Sequence, residues 1–230
     1  MQQEFAGKRI LVTGASGGVG PALTDRLCEK GATVIGTYHS RDNLEKAKER
    51  AEHASAVAYY RVDLTEEADV EALKRNVEED HGTIHGIVNL VGGFSMGKLQ
   101  ETDLKHLKAS FDRHATTIFL VLKHFVDHLE ANRGSVVNFS SQRAINGNPS
   151  TLAYNVGKVA VTSLTKTINR GLKHTRVNAV APDIIDTPTN RASMSGADRS
   201  KWTSLERVSD VVEFLLSERS ETITGEIIRI

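Results

Sequence analysis

The chain has 230 residues, of which 39% are hydrophobic and 25% charged, a composition that excludes disorder as its main state. Its 29 lysines and arginines balance 29 aspartates and glutamates, so no surplus charge favours nucleic acid or an anionic membrane as a partner. Cys28 is the only cysteine, which excludes an intramolecular disulfide and suits a reducing compartment. The N-terminus lacks signal-peptide order and no apolar run reaches the roughly 18 residues of a membrane span, so we expect a cytoplasmic location.

Short apolar, β-branched runs alternate with longer amphipathic segments. The runs predict buried strands at residues 9–12, 33–37, 57–62, 86–91, 135–139, 176–180 and 226–230. The intervening segments predict helices at residues 21–30, 43–52, 66–79, 104–130, 154–172 and 210–217, the last with Ser209 as its cap. This order predicts one α/β domain over residues 1–230, a doubly wound parallel sheet of the Rossmann type with helices on both faces.

The least regular stretch is residues 182–204, where prolines, a glycine and several serines and threonines favour a loop. A loop of this length is usually functional or disordered. We expect it to contribute to a substrate pocket, with Met194 and Trp202 either as apolar walls or packed against the domain.

A glycine-rich segment follows the first predicted strand directly. Residues 13–20 read Thr-Gly-Ala-Ser-Gly-Gly-Val-Gly and lead into a helix that opens with Pro21. Gly14 permits a tight turn, and Gly18 and Gly20 remove Cβ atoms that would keep a pyrophosphate and the sheet at a distance. A surface turn has a similar composition, but the strand, loop and helix order favours a phosphate cradle. The absence of a following Lys-Ser or Lys-Thr favours a dinucleotide over a nucleoside triphosphate.

Three residue types suited to proton exchange with a carbonyl oxygen lie in the second half of the chain. Tyr154 and Lys158 are one turn apart on a predicted helix, and Ser140 and Ser141 follow a strand at its carboxyl end. A tyrosine has a pKa near 10, and a neighbouring cation favours its phenolate. We therefore expect Lys158 to lower the pKa of Tyr154, unless the two are an ordinary exposed helix pair.

These motifs together resemble those of the short-chain dehydrogenase/reductase family over residues 8–230. The family's TGxxxGxG is matched at residues 13–20, its NNAG loosely at 89–92, its YxxxK at 154–158 and its RVNxVxPG at 176–182. Asp63 matches the family's aspartate at the adenine, and Thr187 the threonine that usually meets the nicotinamide carboxamide. Ser141 lies thirteen residues before Tyr154, and this spacing favours it over Ser140 as the family's serine.

The resemblance implies an NAD(P)-dependent oxidoreductase that interconverts a secondary alcohol and a carbonyl, with Tyr154 as acid/base and Ser141 bonding the substrate oxygen. The implied cofactor contacts are Gly14, Ser16, Gly18, Val19, Gly20, His39, Ser40, Arg41, Asp63, Leu64, Asn89, Tyr154, Lys158, Pro182 and Thr187. A noncatalytic dinucleotide-binding sensor or partner subunit remains the alternative, and an epimerase would show no net cofactor turnover. The substrate, a small carbonyl or alcohol, is not identified by the sequence.

The resemblance also implies a homo-oligomer, often a homotetramer, in which the helices predicted at 104–130 and 154–172 pair between subunits. Phe119, Leu122, Phe125 and Leu129 lie along the first of these helices. Some of them must pack on the sheet, so only the outer face is free to associate.

Two residues depart from the family pattern. His114 stands where relatives carry an asparagine that completes a catalytic tetrad through a water. A histidine also bonds water and titrates near neutral pH, so His114 either keeps the proton relay, makes it pH-sensitive, or has no role. Asp183 replaces the glycine after Pro182 and adds a negative charge and a Cβ near the nicotinamide pocket.

The end of the second predicted strand determines the expected cofactor. Tyr38 stands where an acidic residue would bond the adenosine 2′-hydroxyl, and His39, Ser40 and Arg41 follow it. Hydroxyl, imidazole and guanidinium groups all bond phosphate, so the sequence favours NADP(H) over NAD(H). Gly17 weighs against this preference, because NADPH-dependent relatives often have a basic residue in the glycine loop.

His124 and His128 have the i, i+4 spacing of two metal ligands. No acidic partner in an HExxH pattern accompanies them. We therefore expect a solvated or interface face there and no metal site.

Overall fold

A computed structural model describes residues 3–230 of the chain. Within this range seven parallel strands form one sheet in the order β3-β2-β1-β4-β5-β6-β7. The strands are β1 (Arg9–Thr13), β2 (Thr33–Tyr38), β3 (Val57–Arg61), β4 (Gly86–Asn89), β5 (Ser135–Phe139), β6 (Arg176–Ala181) and β7 (Ile227–Arg229). The order reverses between β1 and β4, which opens a crevice at their carboxyl ends. The predicted doubly wound fold is confirmed.

Nine α-helices connect the strands in the described part of the chain. They are α1 (Gly20–Glu29), α2 (Arg41–Lys48), α3 (Glu67–His81), α4 (Leu104–Phe111), α5 (Thr117–Asn132), α6 (Gln142–Asn146), α7 (Leu152–Gly171), α8 (Pro188–Ser193) and α9 (Leu205–Leu216). None of the helices described here combines the length and apolarity needed to cross a bilayer.

Successive strand residues face opposite sides of the sheet and build two separate cores. In β1, Leu11 packs with residues of α3, α5 and α7, whereas Ile10 and Val12 pack with residues of α1 and α9. Both faces are thus covered by helices, which explains why the strands read as continuous apolar runs. Residues spaced three and four apart on α5, including Leu122, Phe125 and Leu129, point into the first core, while Phe119 is 49% exposed.

A chain of buried polar side chains crosses the sheet at its carboxyl edge. Thr13 Oγ1 donates to Asn89 Oδ1 at 3.3 Å, and Asn89 Nδ2 donates to Asn138 Oδ1 at 2.8 Å. Asn138 Nδ2 in turn donates to Thr165 Oγ1 of α7 at 3.0 Å. The register places Thr13 opposite Asn89 and Asn89 opposite Asn138, so the bonds join neighbouring strands at one level.

The structure corrects several details of the predicted elements. A π turn at Asp112–Thr116 interrupts the helix predicted at residues 104–130, and α8 lies inside the predicted loop. Ser204, and not Ser209, caps α9: its side chain accepts from the Arg207 N–H at 3.1 Å. Ser209 lies inside that helix and donates to the Leu205 carbonyl, because α9 begins earlier than the apolar pattern suggests.

Candidate active site

The glycine loop, residues 13–20, joins β1 to α1 and is closely packed against its neighbours. Gly14 has φ +65°, a conformation that favours glycine, and its N–H donates to Thr37 Oγ1 at 3.0 Å. A Cβ on Gly20 would lie 1.9 Å from the Ala15 carbonyl oxygen, so only glycine fits there. The close contacts fix the loop against β2 and leave the N-terminus of α1 next to the crevice.

A cavity of about 620 Å³ lies in the crevice between the carboxyl ends of β1 and β4. Six of the predicted cofactor residues line it: Gly14, Ser16, His39, Ser40, Asp63 and Leu64. Arg41 is exposed on the first turn of α2 and is not part of the lining. Arg113, which the sequence did not single out, lines the cavity instead. Its position depends on the π turn, which no local pattern predicted.

Two predicted cofactor residues make definite bonds around the cavity. Asp63 Oδ1 accepts from the Thr65 hydroxyl at 2.6 Å and from its N–H at 3.0 Å, and these bonds hold the pKa of the carboxyl below its usual value. Asn89 is buried and uses its amide within the polar chain across the sheet. Asp63 is therefore a charged group at the rim, whereas the Asn89 side chain is occupied inside the protein.

Thr187 faces the glycine loop from the opposite side of the crevice. Its hydroxyl caps α8 by accepting from the Asn190 N–H at 3.2 Å. A Cβ on Gly18 would lie 3.1 Å from the Thr187 methyl and Cβ. Pro182 directly follows β6, and its carbonyl accepts from the Gln142 N–H at 3.1 Å. A side chain at Gly18 would thus fill the space between the glycine loop and Thr187.

The two adjacent serines after β5 have different surroundings. Ser140 Oγ donates to the Lys158 carbonyl at 3.1 Å and bonds Thr162 Oγ1 at 2.8 Å, so it ties β5 to α7. Ser141 Oγ is also buried, but it has no hydrogen-bond partner among the described residues. Ser141 is therefore the serine that is available to a ligand.

Tyr154 and Lys158 lie on the inner side of α7. The ammonium of Lys158 is buried and donates to the Phe139 carbonyl at 2.7 Å, and burial lowers its pKa to about 8. The pKa of Tyr154 is raised, mainly by burial and further by Asp183. The Arg143 guanidinium lowers it, as does the nearby Ser141 hydroxyl, although the two hydroxyls do not meet hydrogen-bond geometry here. The expectation of a lowered pKa for the phenol is wrong for the protein without cofactor, because desolvation outweighs the groups that lower it.

Two rings flank the Tyr154 ring. The Phe94 ring lies 5.1 Å from it between centroids, and the His114 ring lies 5.6 Å from it, both edge-on. Phe94 follows β4 on an irregular segment and is 57% exposed, so periodicity gave no signal for it. His114 is almost fully buried and its pKa is lowered to about 4, chiefly by burial. The expectation that it titrates near neutral pH is therefore wrong.

Asp183, which replaces the family's glycine, forms an ion pair with Arg143. Arg143 Nε donates to Asp183 Oδ1 at 2.9 Å, and both side chains are partly exposed. Arg143 lies two residues after Ser141, so the pair joins the segment after β5 to the segment after β6. The added negative charge beside the crevice is thus offset by a guanidinium.

His124 and His128 turn towards different glutamates of α3. His124 Nε2 lies 3.1 Å from Glu67, which also pairs with Lys123, and His128 Nε2 lies 2.8 Å from Glu78. The two imidazoles therefore make separate contacts between α3 and α5.

Known proteins resemble this chain over almost its whole length. A family model described as enoyl-(acyl carrier protein) reductase matches residues 14–230. The 3-oxoacyl-[acyl-carrier-protein] reductase FabG of Thermotoga maritima is 31% identical, covering 97% of this chain and 96% of the relative. Glucose 1-dehydrogenase 2 of Bacillus subtilis is 28% identical, covering 98% and 93%.

Solved structures agree with these relatives. A short-chain type dehydrogenase/reductase from Mycobacterium ulcerans has a TM-score of 0.90 at 28% identity, covering 99% of this chain and 89% of that one. An NAD⁺-bound xylitol dehydrogenase has a TM-score of 0.88 at 26% identity, covering 99% and 98%. The named relatives are dehydrogenases and reductases, which favours catalysis over the noncatalytic alternative. The chain belongs to the short-chain dehydrogenase/reductase family and is an NAD(P)-dependent oxidoreductase.

Proposed function

We propose that the reaction reduces a small carbonyl compound, or oxidises the matching alcohol, with Ser141 bonding the reacting oxygen and Tyr154 exchanging its proton. The observation that carries this assignment is the buried Ser141 hydroxyl, which has no hydrogen-bond partner in the part of the chain that the structure describes. An unpaired buried hydroxyl costs free energy, and a bound substrate oxygen supplies the missing bond. The bound nicotinamide supplies the hydride in reduction and accepts it in oxidation.

Proton transfer follows from the burial of Tyr154. Its raised pKa keeps the phenol protonated at neutral pH, which suits a group that donates a proton to a carbonyl oxygen. In the oxidising direction the same oxygen takes the alcohol's proton, and a nearby cation favours the phenolate that this step needs. Lys158 supplies that cation, because a pKa of about 8 leaves it charged at pH 7 and its bond to Phe139 fixes its ammonium.

The cofactor is proposed to lie across the carboxyl ends of β1 and β4. Unpaired N–H groups at the start of α1 and the glycine loop, with Ser16 and Val19, hold the pyrophosphate. Asp63 and Leu64 hold the adenine end, and Pro182 and Thr187 border the nicotinamide. The main chain of Asn89, rather than its occupied side chain, is the part of that residue free to contact the cofactor.

The two serines provide a matched test of the catalytic assignment. Ser141→Ala and Tyr154→Phe are both expected to lower kcat while leaving NADPH binding intact. For Tyr154→Phe we expect a loss of about a hundredfold to ten-thousandfold, the usual contribution of a proton-transfer group. Ser141→Ala removes a buried hydroxyl that bonds no group in residues 3–230, so it is expected not to lower the free energy of unfolding. Ser140→Ala removes two hydrogen bonds and costs about 1–2 kcal/mol. Full activity in Tyr154→Phe or in Ser141→Ala would contradict the assignment.

The test needs substrates, and the relatives indicate which to include. Ethyl acetoacetate stands in for a 3-oxoacyl group, cyclohexanone for a cyclic ketone, and glucose for a sugar alcohol group to be oxidised. Absorbance of the reduced nicotinamide reports turnover with each. An enzyme that interconverts epimers would bind the dinucleotide but show no net change with any of them.

We propose a preference for NADPH over NADH. No carboxylate stands at the end of β2, where Tyr38, His39 and Ser40 line the cavity. Arg41 begins α2 next to them. Hydroxyl, imidazole and guanidinium groups favour a 2′-phosphate over a free hydroxyl.

Dissociation constants for NADPH and NADH at fixed salt test this preference. Arg41→Ala is expected to weaken NADPH binding selectively, while Arg50→Ala, just beyond the other end of α2, serves as the matched control. Ser40→Asp is expected to reverse the preference, because a carboxylate repels the 2′-phosphate. Tighter NADH binding by the wild type would contradict the proposal.

We also propose that the protein forms homodimers or homotetramers and acts in the cytoplasm. Apolar side chains remain exposed on the outer faces of α4, α5 and α7: Leu104, Phe111, Phe119, Val156 and Val159. Pairing of these faces between copies would remove them from water. The single cysteine, which requires no oxidising compartment, supports the location.

A further inference from the structure

His114 occupies a buried position in the π turn between α4 and α5 and uses both ring nitrogens. Nδ1 lies 2.8 Å from the Ser110 carbonyl oxygen, which only accepts, so Nδ1 carries the proton. Nε2 is then unprotonated, and it accepts from the Gly93 N–H at 3.2 Å. The two bonds fix one neutral tautomer and tie the helical segment to the chain after β4.

The charged groups that face the ring oppose its protonation. Burial acts first, and Lys158 and Arg113, both cations, add to it. A Cβ placed on Gly92 would lie 3.4 Å from both His114 Nε2 and Lys158 Nζ, so the imidazole borders the catalytic lysine. A second positive charge there would be repelled by Lys158 and would have to give up the bond to Gly93.

Gly157, the residue before Lys158 on α7, borders the space that the His114 ring occupies. A Cβ on Gly157 would lie 2.7 Å from His114 Nδ1 and 2.9 Å from the Ser110 carbonyl oxygen. The imidazole therefore fits only because α7 has no side chain at this level. The histidine and the glycine form a coupled pair.

We propose that His114 is a positioning residue, which holds the Gly92–Gly93 segment and the adjoining Phe94 beside Tyr154, and that it carries no proton in the reaction. The segment is held at its other end by Gly97, whose N–H donates to the Ser150 carbonyl at 2.8 Å just before α7. Phe94 thus lies on a short arch anchored at both ends, with its ring against Tyr154. The inference rests on the proposed role of Tyr154.

Two amide variants separate the ring's two nitrogens. In His114→Gln the side-chain oxygen reaches the place of Nε2 and can accept from Gly93, but the bond to Ser110 is lost. In His114→Asn the amide nitrogen takes the place of Nδ1 and keeps the bond to Ser110, but nothing reaches Gly93. Neither amide titrates, so neither can itself carry a proton as an imidazole could, although asparagine is the residue with which relatives hold a water at this position.

The expected result is rescue by glutamine alone. His114→Gln should keep kcat/KM, for the best substrate of the panel, and NADPH affinity within about threefold of the wild type, with unchanged limbs in the pH profile of kcat. His114→Asn should lose about fivefold to thirtyfold, since it leaves the Gly93 N–H unpaired, and the loss should appear in KM more than in kcat. Equal losses in both variants with an altered pH profile would identify a proton carrier. Wild-type constants in both, or rescue by asparagine, would overturn the proposal as well.

A spectroscopic readout separates this inference from the proposed function. In ¹⁵N NMR of the cofactor-free protein, His114 should show one protonated and one unprotonated nitrogen throughout about pH 5 to 8, with no titration. A His114 that titrates in that range overturns the inference even if the enzyme is active. If Tyr154→Phe keeps full activity while His114 keeps its tautomer, the proposed function is contradicted, but the hydrogen bonding assigned to the His114 ring is not.

The glycine gives an independent control. Gly157→Ala should lower Tm more in the wild type than in the His114→Ala background, because the 2.7 Å contact with the imidazole is absent from that background while the 2.9 Å contact with the Ser110 carbonyl oxygen remains. If the two substitutions have additive effects on Tm, the coupled packing is refuted.

Discussion

Replacing Lys158 by methionine should stabilise the cofactor-free protein near neutral pH. Only 7% of Lys158 is exposed, and no carboxylate lies within ion-pair distance of it in residues 3–230. Burial lowers its pKa from 10.5 to about 8, which at about 1.36 kcal/mol per pKa unit corresponds to a cost of about 3 kcal/mol for the charged form at pH 7. Methionine fills the same space without a charge.

The variant also loses a favourable contact. The bond from Nζ to the Phe139 carbonyl is charge-assisted, and such bonds contribute about 1.5–3 kcal/mol. The two effects partly cancel, so we expect Lys158→Met to raise the free energy of unfolding at pH 7 by about 1 kcal/mol. Turnover should be lost in the same variant, because the cation beside Tyr154 is gone.

The pH dependence gives the sharper test. The folded pKa of about 8 lies below the unfolded value, so the wild type carries the full cost below pH 8 and loses it as the pH rises towards 10.5. The variant should therefore be more stable at pH 7 and lose that advantage by about pH 10. Urea unfolding followed by circular dichroism measures both values.

Lys166→Met, on an exposed position of the same helix, is the matched control and should show no such pH-dependent difference. A stability difference between Lys158→Met and the wild type that is the same at both pH values would refute the reasoning. A strongly destabilised variant at pH 7 would do so too.

Three further outcomes are expected. Asp183→Asn should lower the pH at which carbonyl reduction declines, because the Asp183 carboxylate raises the pKa of Tyr154, and Arg143→Gln should raise that pH, because the guanidinium lowers the same pKa. Shifts of the pH–rate profiles in the opposite directions would contradict this. Gly20→Ala should cost about 1–3 kcal/mol or more in urea unfolding, whereas Gly196→Ala, which meets no atom within 4 Å, should cost little. Phe119→Glu should reduce the assembly size in light scattering at micromolar concentration, and a monomeric wild type would end the oligomer proposal.

The sheet and most of the candidate site residues could be predicted from the sequence, because the patterns that indicate them are local. Strands covered on both faces are short apolar runs, and the glycine loop and the Tyr154 and Lys158 pair are contiguous motifs. The surroundings of His114 were not predictable in this way. Its ring accepts from Gly93 and packs against Gly157, both distant in sequence, and its low pKa depends on burial beside Lys158 and Arg113. Phe94 carried no periodic signal, since it lies on an irregular segment that only the fold brings to Tyr154.

The polar chain from Thr13 through Asn89 and Asn138 to Thr165 restricts how this sheet can change during evolution. Each member satisfies its neighbour in a buried setting, so replacing one of them leaves another polar group unpaired, at a cost of about 1–3 kcal/mol. Exchanging several for apolar residues of similar shape avoids that penalty but requires simultaneous substitutions. These positions should therefore drift together across descendants of this chain, while the apolar residues beside them vary one at a time.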